Sequence, residues 1–344
     1  MNRPKRIFAI ADFKDDSPKS IRPPRRHWVK GLVRLGHDVQ RFSYRDIMLQ
    51  HSLLPNERFA RLFAKSRTDK LLLDQVKNYQ PDIIFILNMV YLDPETVSLM
   101  RAAVPGAIIV GRDNDPFPEL NPARIAIARQ TDILIATNAG AFLKTYKDAG
   151  VPLCVFIPNP CDPDLHHPYQ VEERWRADIM FAGKVGHSKL ERESDRYDLL
   201  FKLSQRPNVR LYGCFGNPSV CGLDYFRAIS GAKIALSINI ANNVRLYQSD
   251  RFINNIACGT FTLAKRVPDS DLLFEDGVHL RYFDTVEEFF ELAELYLKHD
   301  QERQKIAAAG MERAHREFNC ERIAQYFLDV VEKGRYDAPW TAVL

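Results

Sequence analysis

The chain has 344 residues, 46% of them hydrophobic, 27% charged and 11% aromatic, with a formal net charge of +4. That length suits two domains of about 150 residues each, and the composition excludes a disordered or fibrous chain. The longest apolar runs, such as DIIFIL (82–87), are strand-sized and far short of the ~20 residues that a membrane span requires.

The N-terminal MNRPKRIFAIADF is basic, but its apolar run breaks at Asp12, so 6–13 reads as a strand and not as a signal peptide. A cytoplasmic location is expected. RRHWVKGLVRLG (25–36) is a helix with a glycine stop, HDVQRFSY (37–44) a second strand, and 56–79 a polar helical stretch. Residues 1–80 hold 18 Lys+Arg against 8 Asp+Glu. Such a field favours an anionic partner: a phospholipid surface, an acidic glycan or a nucleic acid. Then come PDIIFIL (81–87), a helix after Pro94, AIIVGRDNDPF (107–117), a helix near 121–130, DILIAT (132–137), a helix near 139–149 and LCVFIP (153–158). Strands spaced by helices predict a parallel sheet covered on both faces.

PNPCDPDLHHP (158–168) carries four prolines in eleven residues and reads as a linker. The alternation restarts with ADIMFAGKVG (177–186), NVRLYG (208–213), AKIALSIN (232–239), a helix from Ser249 to Gly259, TFTLAK (260–265) and VHLRYF (278–283). Three helical stretches close the chain, beginning at 285, 300 and 320. Two such domains would face each other across a cleft, and ligands of open α/β sheets bind at the C-terminal strand edges. Neither GxGxxG after a strand nor GxxxxGK[ST] is present, which argues against a nicotinamide site and a P-loop. The six cysteines form no CxxC pair, so free buried thiols are expected and no metal site.

The stretch QSDRFINNIACGTF (248–261) places Asp250, Arg251, Asn254 and Asn255 in a short helix, although asparagine competes for backbone hydrogen bonds and forms helices poorly. With Ser249 as N-cap, Phe252, Ile253, Ile256 and Ala257 form the buried stripe, and Asp250/Asn254 and Arg251/Asn255 stack four apart on the polar side. A helix start is an anion site, and Arg251 can grip a phosphate. This suits a nucleoside diphosphate with polar side chains reaching its ribose.

SDRFINNIACGTFTL, the run from LFEDGVHLRYF to the C-terminal helices, GRDNDPFPE, TDILIATNAGAFLKTYKDAG and FIPNPCDPDLHHP resemble the group 1 glycosyltransferases, closest to the spore-maturation (CgeB-like) branch. The resemblance spans roughly 105–330. It implies a GT-B fold: residues 1–160 an acceptor-side Rossmann-like domain, 161–320 a nucleotide-sugar domain, and 321–344 a helix and tail crossing back toward the first. It implies metal-independent sugar transfer from a nucleotide-diphosphate sugar, with no further cofactor, to a glycan, protein, lipid or nucleic acid. Gly183, Lys184 and Lys189 of AGKVGHSK match the residues that hold the diphosphate in related enzymes. Where those enzymes carry two glutamates, this chain has Leu246 and Asn254. A binding protein without catalysis and a nucleotide-sugar epimerase are therefore the alternatives.

Further candidates follow from position. Asp12 ends the first strand and could act as a base or contact the acceptor. Arg112, Asp113 and Asp115 end a strand of the first domain and could orient the acceptor. His187 could donate to a developing phosphate charge. Tyr212, Gly213 and Phe215 close a strand where a nucleobase could stack.

Overall fold

A computed structural model describes residues 3–14, 23–54, 56–113, 122–185, 194–342 and 344. The chain divides into two compact units, Met1–Pro158 with Cys320–Leu344, and Asn159–Asn319. Each is built on a parallel sheet.

The first unit holds β1 (Arg6–Ala11), β2 (Asp38–Ser43), β3 (Ile83–Ile86), β4 (Ile108–Asp113), β5 (Ile133–Ala136) and β6 (Leu153–Phe156), in the order β2-β1-β3-β4-β5-β6. All pairs are parallel. The continuous apolar runs of β3 and β5 are buried at every residue, as strands covered on both faces must be. Helices α1 (Pro23–Arg34), α2 (Tyr44–Gln50), α3 (Glu57–Phe63), α4 (Lys65–Tyr79), α5 (Pro94–Ala103), α6 (Pro122–Ala128) and α7 (Ala141–Asp148) supply the cover. The single helical stretch expected over 56–79 is two helices, broken at Ala64.

The last helix of the chain, Cys320–Lys333, packs in this unit: Phe327 lies 4.5 Å from the Phe85 ring and 6.1 Å from Trp28. After it, the tail runs along β6. Leu344 exchanges backbone hydrogen bonds with Cys154 (2.8 and 3.0 Å), and Phe156 donates to Ala342 (2.9 Å). The open edge of the sheet is thereby paired.

The second unit contains β7 (Ala177–Ala182), β8 (Val209–Tyr212), β9 (Ala232–Ser237), β10 (Phe261–Lys265) and β11 (Arg281–Phe283), in the order β11-β10-β9-β7-β8 and again all parallel. Its described helices are α8 (Asp195–Ser204), α9 (Leu223–Ser230), α10 (Asp250–Ala257), α11 (Val286–Lys298) and α12 (Asp300–Glu317); Cys320–Lys333 is α13. One face of the sheet packs Phe181, Leu236 and Leu263 on α8 and α11. The other packs Met180 and Ala235 on Phe226 and Ile229 of α9. The proline-rich segment is well packed: Asn159, Asp162 and His166 are buried in it. Among the described residues, no helix is long and apolar enough to cross a membrane.

Candidate functional site

In a parallel sheet, the loops leaving the strands' C-terminal ends gather at one edge. In the second unit that edge holds Gly183 after β7, Gly213 after β8, Ile238 and Asn239 after β9, and the start of α10. Gly183 donates a backbone hydrogen bond to Tyr212 (2.9 Å), so the first two turns lie side by side. Gly213 has φ +80°, a left-handed conformation that a side chain would strain.

Arg251, in the first turn of α10, is the centre of this edge. Its Nε donates to the Ala182 carbonyl (2.8 Å) and Nη1 to the Ile238 carbonyl (3.0 Å), tying the ends of β7 and β9 together. The guanidinium lies 4.4 Å from the Phe181 ring centroid, a cation–π stack. Nη2 makes no hydrogen bond among the described residues and lies against Gly183, where a Cβ would sit 2.6 Å from it. Only glycine admits this approach. Arg251 forms no ion pair among the described residues. Burial lowers its pKa to about 10, and the neighbouring Arg196 pushes the same way. It stays charged at neutral pH, in a place that favours an anion.

Arg196 escaped the sequence analysis. It is buried, donates from Nη2 to the Lys184 carbonyl (2.7 Å) and also faces Phe181, 5.7 Å from the ring. The signal was present. SDRY (194–197) and SDRF (249–252) each open a helix with Ser at the N-cap and Arg in the first turn, and both arginines converge on one ring.

Several expectations are corrected. Arg251 was placed on a solvated polar side, but its guanidinium is pinned between two strand ends. Asn254 and Asn255 are not on an exposed face either: they are 5% and 0% exposed. Asn255 Nδ2 reaches toward the Leu236 carbonyl (3.5 Å), and its Oδ1 has no partner. Asn254 lies beside His166 and Tyr225. Its amide dipole favours the charged form of both, raising the His166 pKa and lowering that of Tyr225. Burial drives the His166 pKa down to about 4 and the Tyr225 pKa up to about 12. The two asparagines are thus buried, one beside His166 and Tyr225 and the other facing the Leu236 carbonyl.

Ser249 is the N-cap residue, yet its side chain makes no capping bond, and its Oγ is buried without a partner. The Nε2 of Gln248 is likewise unsatisfied. Such buried orphans at a helix head are uncommon and are satisfied by water or a ligand. Asp250 and Lys184 are exposed there. Tyr212 is half-buried and packs toward Trp175, 6.5 Å away, while Phe215 packs on Tyr197 (5.5 Å). His187, Lys189 and Asp115 lie outside the described residues. A groove of about 990 Å³ lies at the opposite, N-terminal edge of the sheet, but its Lys233 and Arg176 are paired with Asp178 and Glu173. Among the described residues, no three His, Cys, Asp or Glu side chains group as metal ligands would.

In the first unit, Asp12 is 7% exposed, and its Oδ1 forms an ion pair with Arg25 Nε and accepts from Asn88 Nδ2, both at 2.9 Å. Asp113 accepts from Arg124 (2.9 Å) and from the Tyr146 hydroxyl (2.5 Å). Arg112 is buried over Trp28 (5.4 Å). Asn138, also missed, follows β5 fully buried, with neither amide atom hydrogen-bonded.

The model of a family described as glycosyl transferase-like matches residues 192–329. No curated protein matches the sequence. Solved structures share the fold over nearly the whole chain. Anabaena HepE, solved with UDP and glucose, has a TM-score of 0.63 at 13% identity, covering 96% of this chain and all 100% of that one. Sucrose-phosphate synthase from Thermosynechococcus elongatus has 0.65 at 13%, covering 96% and 98%. A glycosyltransferase from Rickettsia africae has 0.62 at 11%, covering 96% and 99%. The fold is thus that of GT-B glycosyltransferase structures: two Rossmann-like domains, each on a parallel sheet.

Proposed function

We propose that this chain transfers a sugar from a nucleoside diphosphate sugar to an acceptor, in its narrowest form as a member of the spore-maturation branch. The diphosphate is placed at the head of α10 and over Gly183. The observation that carries the reading is Arg251, charged and in no ion pair among the described residues, turning Nη2 toward Gly183 at the C-terminal edge of β7. Arg196 adds a second cation on the same ring. Together with Lys184 and the free N–H groups of the helix start, they would stabilise the departing diphosphate without a metal. That HepE is solved with UDP supports uridine as the base. Asp12, Arg112 and Asp113 remain proposed acceptor-side residues. Asp12 would act as a base only on release from its ion pair with Arg25 and its hydrogen bond from Asn88.

UDP is expected to raise the melting temperature in metal-free buffer, and EDTA to leave the shift unchanged. At a hundredfold excess over Kd the stabilisation is about 2.7 kcal/mol. A shift abolished by EDTA overturns the metal-free reading; no shift with any nucleoside diphosphate overturns the site. Gly183→Ala tests the same place by geometry. Its Cβ would displace Arg251 Nη2 from 2.6 Å, and loss of one charge-assisted contact lowers UDP affinity about tenfold. Isothermal titration reads it, and wild-type affinity would remove Gly183 from the site.

A binding-only reading rests on Leu246, buried at φ +57°, and on Asn254, both uncharged where related enzymes carry glutamates. Release of UDP from UDP-sugar in the presence of acceptor extracts separates the two.

A further inference from the structure

Within the first unit, the segment 53–63 exposes Leu53, Leu54, Phe59, Leu62 and Phe63. Leu53 is 103% exposed, Phe63 78% and Leu62 72%, so most of each residue's surface meets solvent. Phe59 and Phe63 stack on each other at 6.5 Å, with their planes 13° apart, one turn apart on α3. Single exposed leucines are ordinary on a protein surface. Five large apolar side chains within eleven residues are not.

The charges around them are one-sided. Glu57 is held by Arg45 and Arg61, and Asp69 by Lys65. Both acids of the segment 51–70 are thus neutralised within the protein. Arg58, Arg67 and Lys70 are exposed and form no ion pair among the described residues. Arg58 lies within this apolar run, and Arg67 and Lys70 follow it on α4, so protruding hydrocarbon and cations without ion pairs share one stretch of the chain.

We infer that this face docks on an anionic phospholipid surface, with the leucines and phenylalanines entering the headgroup–acyl boundary and the arginines meeting lipid phosphates. Apolar insertion and cationic attraction are the two contributions to interfacial binding, and here they are adjacent. A second copy of the chain fits less well. A two-fold contact sets the patch against its own copy, so the cations of both chains would be gathered at one interface with no acid to offset them. The inference does not depend on the proposed sugar transfer, since vesicle binding needs neither donor nor acceptor.

The test is co-sedimentation of the full chain with phosphatidylcholine vesicles and with equimolar phosphatidylcholine–phosphatidylglycerol vesicles. The chain is expected to pellet with the anionic vesicles, less so at high salt, and to stay in solution with phosphatidylcholine alone. Leu53→Ser with Phe63→Ser should weaken binding about a hundredfold, each side chain supplying about tenfold on burial. Arg58→Gln with Arg67→Gln should weaken it roughly 25-fold, about fivefold per cation. All four positions are exposed, so melting curves should match wild type. Equal retention of wild type in solution with both vesicles overturns the inference. So does unchanged pelleting of both variants, or sedimentation velocity showing a dimer that the serine variant dissolves while no vesicle is bound.

Discussion

Arg251→Ala lowers the stability of the second unit by about 2–4 kcal/mol and UDP affinity ten- to hundredfold. The first effect follows from what the guanidinium holds: the Ala182 and Ile238 carbonyls and the Phe181 face. Hydrogen bonds from a charged donor contribute about 1.5–3 kcal/mol each, and removing the donor leaves two carbonyls without it. Partial relaxation and water entry bring the sum down. The second effect is the loss of Nη2 beside Gly183. Arg251→Lys separates them, because an ammonium keeps the charge but neither the fork nor the flat stack. Lysine should restore part of the UDP affinity and less of the stability. Denaturant unfolding and calorimetric titration read the two quantities independently. Unchanged UDP affinity in the alanine variant would move the nucleotide elsewhere; unchanged stability would contradict the clamp.

Much of this architecture was legible in the sequence because its cause is local. Buried parallel strands are short apolar runs, and RIFAIADF, PDIIFIL and ADIMFAG announce themselves as such. The break at Ala64 was not visible, since alanine carries no stop signal. The candidate site is read from its helix head, but the burial of its side chains is not what the helix pattern implies. Helical periodicity divides a helix into one buried and one wet face. An eight-residue helix at a sheet edge has neighbours on several sides. For α10 these are β7 and β9 at its head, and Tyr225 and His166 beside Asn254. No pattern within 248–261 encodes the approach of residues 166 and 225. Arg196 is less legible for another reason: it stands in the first turn of a helix and not in the loop after β7, although its tetrapeptide nearly repeats at 249.

Acidification provides the sharpest reading of Asn254. His166 is fully buried and its pKa is pushed down to about 4 by burial. The folded state thus prefers the neutral ring, and this contribution is complete above pH 6.5, the unfolded value. It is lost as pH falls from there to about 4, a loss of about 3 kcal/mol at 1.36 kcal/mol per unit. His37, His51 and His279 are shifted in the same direction, so the wild-type acid limb includes them. The difference between wild type and His166→Gln isolates the buried ring. Asn254→Asp should go further. A carboxylate beside His166 favours the imidazolium, so the folded His166 pKa rises, and above 6.5 its contribution changes sign: present at low pH, lost as pH rises. Near pH 8 the variant holds a buried carboxylate against a neutral ring and should be less stable than wild type by about 3 kcal/mol. Near pH 5 the charged pair forms and the gap narrows. Unfolding free energies of the three proteins between pH 5 and 8 decide the question. An Asn254→Asp curve parallel to wild type would separate Asn254 from His166 and return its amide to the list of groups available to a ribose.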